Sequence, residues 1–186
     1  MRVLAISGSL RSDSHNTRLL RAAAQQLPPG VELELYGGLK QIPPFDEDDE
    51  AMPAREIKEW RAAIGAADAV LFATPEYNSS IPGQLKNALD WASRPKSEAA
   101  LLNKPVAVVG ASKSMFGGLW AQAELRKVLS ASGARVVDAE LAVATAHEAF
   151  DEDSLIDAEL ADALGTVVEE LIDAARERSE PARLAA

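Results

Sequence analysis

Ile6-Ser-Gly-Ser-Leu-Arg-Ser-Asp-Ser-His-Asn-Thr17 is the stretch on which the fold turns. Before it, Arg2-Val-Leu-Ala-Ile6 is a short apolar run that reads as a buried strand. After it, Leu19, Leu20, Ala23, Ala24 and Leu27 share one face of a helix that starts near Thr17. The loop between them is rich in hydroxyl and amide side chains. A chain passing from strand to helix through such a loop aims several N–H groups at one point. The helix dipole adds partial positive charge there, so the place favours an anion such as a phosphate. The plainer reading is an ordinary strand–helix turn in which Ser14 or Asn16 only caps the helix. The loop alone leaves both open.

The pattern continues outward from that unit. Val31–Tyr36 alternates apolar and polar residues, as a strand near a sheet edge does. A loop then carries Pro43-Pro44 and the acidic run Asp46–Glu50. That run lacks the glycine and ligand spacing of a calcium loop, so a solvated turn is expected. A helix is expected over Pro53–Ala63, a buried strand over Ala69–Thr74, and a second polar loop over Pro75–Gly83. Gln84–Ala92 reads as a helix stopped at Pro95. Pro105–Gly110 is a fourth strand and enters a third unusual loop, Ala111–Gly118. A helix to about Ser130 follows, with Gly133 as its stop. Arg135–Val137 and Glu140–Val143 then supply a last strand interrupted at Asp138. Ser154–Ala175 reads as a helix with Ile156, Leu160, Leu164, Val168, Leu171 and Ile172 in register, and Arg176 onward as a tail.

Alternating strands and helices imply a parallel sheet with helices on both faces. Ligands of such sheets sit beyond the carboxyl ends of the strands, where the strand order reverses. With the order 2-1-3-4-5, the loops after strands one, three and four converge on one crevice. Those are the three unusual loops.

Composition narrows what that crevice serves. The 186 residues fit a single domain, and 47% hydrophobic with 26% charged residues suits a globular protein. A formal charge of −10 argues against nucleic acid and anionic membranes as partners. There is no cysteine, which removes disulfides, thiol nucleophiles and thiolate metal sites. Two histidines are too few for a histidine metal cluster, and no metal site is expected. No signal-peptide core and no long apolar span is visible, so a cytoplasmic location is expected. The glycines of a dinucleotide fingerprint, a Gly-Lys-Ser/Thr phosphate loop and a Gly-x-Ser-x-Gly elbow are all missing. Ser93-Arg-Pro-Lys96 matches Ser-x-x-Lys without the companion motifs that would give it meaning.

Three stretches, Gly8–Asn16, Thr74-Pro-Glu-Tyr-Asn78 and Pro82-Gly-Gln-Leu-Lys-Asn-Ala-Leu-Asp-Trp91, resemble the NADPH-dependent FMN reductase family. That family includes quinone, chromate and azo-dye reductases. The resemblance implies a flavodoxin-like α/β sandwich over residues 1–175, with 176–186 as a tail, holding FMN (flavin mononucleotide) non-covalently. NADPH or NADH is then the co-substrate and a small molecule the electron acceptor. It also implies that Ser9, Arg11, Ser14, Asn16 and Thr17 hold the FMN phosphate. Pro75, Glu76, Tyr77 and Asn78 would run along the isoalloxazine ring, and Ser112, Gly117 and Gly118 match the third loop more loosely. The bland alternatives are a solvated Arg11, Tyr77 as core filler, Asn78 as a turn former, and a glycine pair that only turns the chain. No side chain is assigned as a catalytic acid or base, because the flavin carries the chemistry.

The family resemblance also implies a homodimer or homotetramer. Trp91, Met115 and Trp120 are candidates for the subunit contact, with Trp91 equally suited to the core. Arg126 and Glu124 could bridge subunits or remain solvated. The competing function is a flavodoxin-type carrier of single electrons without NAD(P)H activity of its own. Arg11 and the Pro75–Asn78 loop favour the reductase.

Overall fold

The structure, a computed structural model, describes residues 1–179. Five parallel strands form one sheet: β1 (Arg2–Ser7), β2 (Glu32–Leu35), β3 (Ala69–Ala73), β4 (Pro105–Ala111) and β5 (Arg135–Val143). Their order is β2-β1-β3-β4-β5, as expected. Five helices connect and cover them: α1 (His15–Gln25), α2 (Arg55–Ala66), α3 (Gly83–Ala92), α4 (Leu119–Ala131) and α5 (Ala158–Ser179). No helix among the described residues is long and apolar enough to cross a membrane.

The pleat of the inner strands sorts the core into two layers. Leu4, Ile6, Val70, Phe72, Val106 and Val108 face α2, α3 and α4. The alternate residues Val3, Ala5, Ala69, Leu71, Ala73, Ala107 and Val109 face α1 and α5. β3 and β4 are buried along their whole length, so they read as unbroken apolar runs rather than alternating ones. Each fully buried Leu, Ile or Val contributes about 1.5–3 kcal/mol. Trp91 belongs to this core, with no exposed surface, and its Nε1 donates to the Pro43 carbonyl at 3.0 Å. It is therefore removed from the candidates for a subunit contact.

Several boundaries differ from expectation, each for a local reason. α1 begins at His15, because Ser14 caps it by accepting from the N–H groups of Asn16 and Thr17. β5 is continuous, but its register against β4 shifts between Val106 and Val108, which pair with Val136 and Glu140. This bulge occupies the expected break at Asp138. Its backbone is held by Arg126, which donates to the Val137 carbonyl at 2.7 Å, and by Glu170, which accepts from Ala139 N–H at 2.8 Å. Arg126 is thus committed within its own chain rather than free to bridge subunits. The acidic run is solvated as expected, with Asp46 to Asp49 exposed, but it is not without partners. Asp46 caps a short 3-10 turn, and Arg94 pairs with both Glu47 (3.2 Å) and Glu50 (2.9 Å).

The largest departure lies before α5. Ser154 and Leu155 form β7 of a small antiparallel hairpin with β6 (Phe150–Asp151). The helix starts only at Ala158, where the Asp157 carboxylate accepts from Glu159 and Leu160 N–H. Ile156, expected to face inward, precedes the helix and is 64% exposed. The hairpin packs on α1 through an Arg21–Asp153 ion pair (3.3 Å) and a Ser154–Gln25 hydrogen bond (3.0 Å). At the other end α5 runs through Ser179, beyond the tail expected from Arg176, and residues 180–186 lie outside the described residues.

Candidate functional site

The carboxyl ends of β1, β3 and β4 deliver three loops to one edge of the sheet. Gly8 lets the first two come close: a Cβ there would stand 3.0 Å from Leu85 Cδ2 and 3.3 Å from Pro75 Cδ. In the first loop Ser14 is spent on the helix cap, and Thr17 Oγ1 donates to Ser7 Oγ at 3.0 Å. Asn16 is buried, and its amide clamps Ala111 at the end of β4. Nδ2 donates to the Ala111 carbonyl at 2.9 Å, and Oδ1 accepts from Ala111 N–H at 3.0 Å. Ser14, Asn16 and Thr17 therefore shape the loop with their side chains. The backbone N–H groups of Leu10, Ser12, Asp13 and His15 have no hydrogen-bond partner among the described residues. Exposed Arg11 folds back on the Asp13 carbonyl, and Ser9 Oγ accepts from Arg11 N–H at 3.4 Å.

The second loop is a tight turn. Asn78 and Ser79 have φ of 52° and 62°, and Tyr77 and Ser80 exchange both backbone hydrogen bonds at 3.0 and 3.2 Å. Positive φ at both central positions is the geometry that favours Asn. Asn78 is thus a turn former. Tyr77 is 48% exposed, so it is not core filler. Glu76 reaches across to the third loop, where its carboxylate accepts from Trp120 and Ala121 N–H at 3.1 and 3.3 Å. α4 has no cap of its own, since Gly118 stands at that position, and Glu76 supplies one.

In the third loop Gly117 and Gly118 have φ of 60° and 81°. A Cβ on Gly117 would lie 2.7 Å from the Ala142 carbonyl carbon. Ser112 Oγ accepts from Ser114 N–H at 3.2 Å. Beyond it Met115, Phe116, Leu119 and Trp120 are all exposed, with Phe116 and Trp120 edge to face at 4.9 Å.

Between the loops lies a cleft of ≈ 190 Å³. Ser9, Arg11, Ser14, Asn16, Pro75, Glu76, Tyr77 and Ser112 line it; Thr17, Asn78, Gly117 and Gly118 support its walls without lining it. Larger grooves lie between α1 and α5 (≈ 440 Å³) and between α3 and α4 (≈ 470 Å³), but neither gathers the three loops. His15 and Lys113 also line the cleft, and sequence reasoning gave His15 no role in it. The signal was its place in the first turn of the helix that receives the first loop. Burial, and then the charges of Arg11, Arg18 and Lys113, hold the His15 imidazole below its ordinary pKa. Arg18 bonds Asp13 at 2.6 Å and holds that carboxyl below its ordinary value. The cleft is thus locally cationic on a chain of net charge −10.

Most of the polar groups of Pro82–Trp91 are engaged elsewhere. Gln84 Nε2 donates to the carbonyls of Leu39 and Ile42 at 2.7 and 2.8 Å. Asn87 accepts from Phe45 N–H at 2.7 Å and donates to the Pro43 carbonyl at 2.8 Å. These side chains, with Trp91, strap the loop after β2 onto α3.

A sequence model of the NADPH-dependent FMN reductase family matches residues 1–148. The chain belongs to that family. An NAD(P)H-dependent FMN reductase of Pseudomonas aeruginosa is 45% identical over 155 residues, covering 81% of this chain and 82% of that protein. A quinone reductase of Pseudomonas putida is 41% identical over 128 residues, 68% of each chain. Among solved structures, FerB of Paracoccus denitrificans, a flavoenzyme NAD(P)H:(acceptor) oxidoreductase, superposes with a TM-score of 0.85 at 31% identity. That superposition covers 95% of this chain and 97% of FerB.

Proposed function

We propose that this member of the family is an FMN-dependent oxidoreductase that takes hydride from NADPH or NADH and reduces a quinone-type acceptor. The observation that carries the reading is the meeting of three loops around one locally cationic cleft. Its donor set fits a phosphate dianion: the His15 N–H, the Ser9 hydroxyl, the Arg11 guanidinium and the positive end of α1, with the open N–H groups of Leu10, Ser12 and Asp13 in the same loop beside it. The Nε2 of His15, accessible and without a partner among the described residues, fits the same ligand.

Ser9 and Arg11 would contact the phosphate directly, while Ser14, Asn16 and Thr17 hold the loop in the shape that receives it. Pro75, Glu76, Tyr77 and Asn78 would present backbone to the ring. Ser112, Gly117 and Gly118 would form the wall beside it. When bound, FMN supplies a centre that accepts hydride at N5 and passes the electrons on. The chain's task is binding, orientation and exclusion of water, and no side chain of the cleft is needed as acid or base for hydride transfer. The open side of the cleft would admit nicotinamide and acceptor in turn, the order that gives ping-pong kinetics. Relatives named as FMN and quinone reductases favour this reading over a single-electron carrier.

A cleft of ≈ 190 Å³ falls short of the roughly 300–1,000 Å³ of small-molecule sites. The exposed apolar side chains of Met115, Phe116, Leu119 and Trp120 border its third loop. These two facts support a second copy of the chain completing the site as a homodimer or tetramer. Sedimentation at micromolar concentration tests this; a clean monomer removes the shared site. The activity is tested by adding NADPH anaerobically to the flavin-loaded protein and then a quinone. Bleaching of the flavin absorbance followed by recovery is expected, and an unbleached flavin with unreduced quinone overturns the reading. The same assay with NADH, free FMN, azo dyes and chromate defines specificity.

A further inference from the structure

His15 has no assigned role, yet its surroundings suit one. It is the first residue of α1 and lines the cleft. Its ring lies on Phe150 of the β6–β7 hairpin, with centroids 6.3 Å apart and planes 14° from parallel. Its Nδ1 is buried without a hydrogen-bond partner, while Nε2 is accessible and likewise unpartnered among the described residues. The charged groups around it come from every packed element. Arg11 and Asp13 belong to the first loop, Arg18 to α1, and Lys113 to the third loop. Glu76 lines the cleft from the second loop, but its carboxylate is engaged by α4. On the hairpin, Asp153 is paired with Arg21.

We propose that His15, held on Phe150, is a direct ligand of the FMN phosphate and takes up a proton from solvent as the phosphate binds. This rests on the FMN reading above. In the free protein burial first, and then three cations and the α1 dipole, oppose a second proton on the ring. A phosphate dianion reverses the cationic part of that field, and it gives the accessible Nε2 a partner. Proton uptake and phosphate binding are then linked, so each strengthens the other. The Phe150 stack fixes the ring plane, which lets a hairpin outside the three loops tune the cofactor site. Discrimination between FMN and riboflavin should grow as pH falls from 8 to 6.5, beyond what the phosphate's own titration gives.

The test is calorimetry of flavin-stripped, full-length protein with FMN and with riboflavin, at pH 6.5 and 8, in buffers of different ionisation enthalpy. His15→Phe keeps an aromatic ring for the stack, and His15→Gln keeps a neutral donor. Wild type should take up protons on binding FMN and not on binding riboflavin. His15→Phe should lose that uptake and bind FMN several-fold more weakly at pH 6.5, with little change at pH 8. His15→Gln should regain part of the affinity without the uptake. Riboflavin affinity, unchanged in both, shows that the variants fold. As a second measurement, the His15 imidazole titration in wild-type protein should move to higher pH when FMN is added. With two histidines in the chain, the variant assigns the signal. FMN binding with the same proton uptake in wild type and His15→Phe, or an unmoved His15 titration, overturns this inference alone. A wild type that binds neither flavin overturns it together with the cofactor reading.

Discussion

The two ends of the sheet use polar groups in opposite ways. At the amino end they are consumed internally. Asp68 accepts from Arg2 N–H at 2.7 Å, and buried Lys104 donates to the Gly65 and Ala67 carbonyls at the end of α2. At the carboxyl end a run of N–H groups in the first loop stays open, and the side chains beside it are spent on keeping that run in place. One end is a closed structural edge and the other is held ready for a ligand. Damage at the first should therefore appear in stability alone, and damage at the second in flavin affinity out of proportion to stability.

The strongest challenge to that contrast is Gly117→Ala, which combines a left-handed backbone with a backbone clash. It should cost about 4 kcal/mol by urea unfolding and abolish tight FMN binding. A variant as stable as wild type would show that the third loop adapts freely. Next, Asn16→Ala leaves both backbone groups of Ala111 without their clamp, at about 3 kcal/mol. Flavin affinity, followed by fluorescence quenching, should fall with it even where the protein remains folded.

At the closed end the expected signature is pH. Burial pushes Lys104 down to about 8 from 10.5. Between those values the unfolded chain binds more protons than the folded one, so stability rises with pH across that window, by up to about 3 kcal/mol. Below pH 8 the cost of the buried charge is felt in full. Lys104→Met should flatten the urea midpoint between pH 8 and 10.5 and leave FMN affinity unchanged. An undiminished slope would assign it to another group.

Two smaller effects sharpen the contrast. Glu76→Ala removes the cap of α4 and should cost about 1 kcal/mol, with a measurable loss of FMN affinity as the second and third loops part. Arg11→Ala should leave the melting temperature within error, since its side chain is exposed, and weaken FMN about tenfold with riboflavin unaffected. Equal losses for both flavins would place Arg11 away from the phosphate.

What the sequence made legible was whatever one element signals by itself. The buried runs of β1, β3 and β4, the helical phase of α1 and the extent of α3 and α4 show directly, and so do the three polar loops. Roles that depend on distant partners did not show. Asn16 and Ala111 are 95 positions apart, and Glu76 caps a helix 44 residues away. Such pairings exist only once the sheet is assembled. Pro82–Trp91, the longest of the family-like stretches, owes much of its polarity to holding the loop after β2. The start of α5 was misplaced because Ile156 falls in helical phase by coincidence. The β6–β7 hairpin is too short to show alternation, and the Asp157 cap was the true boundary mark. His15 went unassigned because its ring is placed by that same hairpin.

The hairpin also carries a consequence for how the protein is made. α1 and its loop are synthesised well before β7 and α5, which pack on them. Nascent chains must therefore carry α1 packed on β1, β3 and β4 but still open on the side of β7 and α5 until translation passes residue 150. Cofactor capture should consequently be a late event in biogenesis, and a ribosome stalled before the hairpin should hold a chain that retains no flavin.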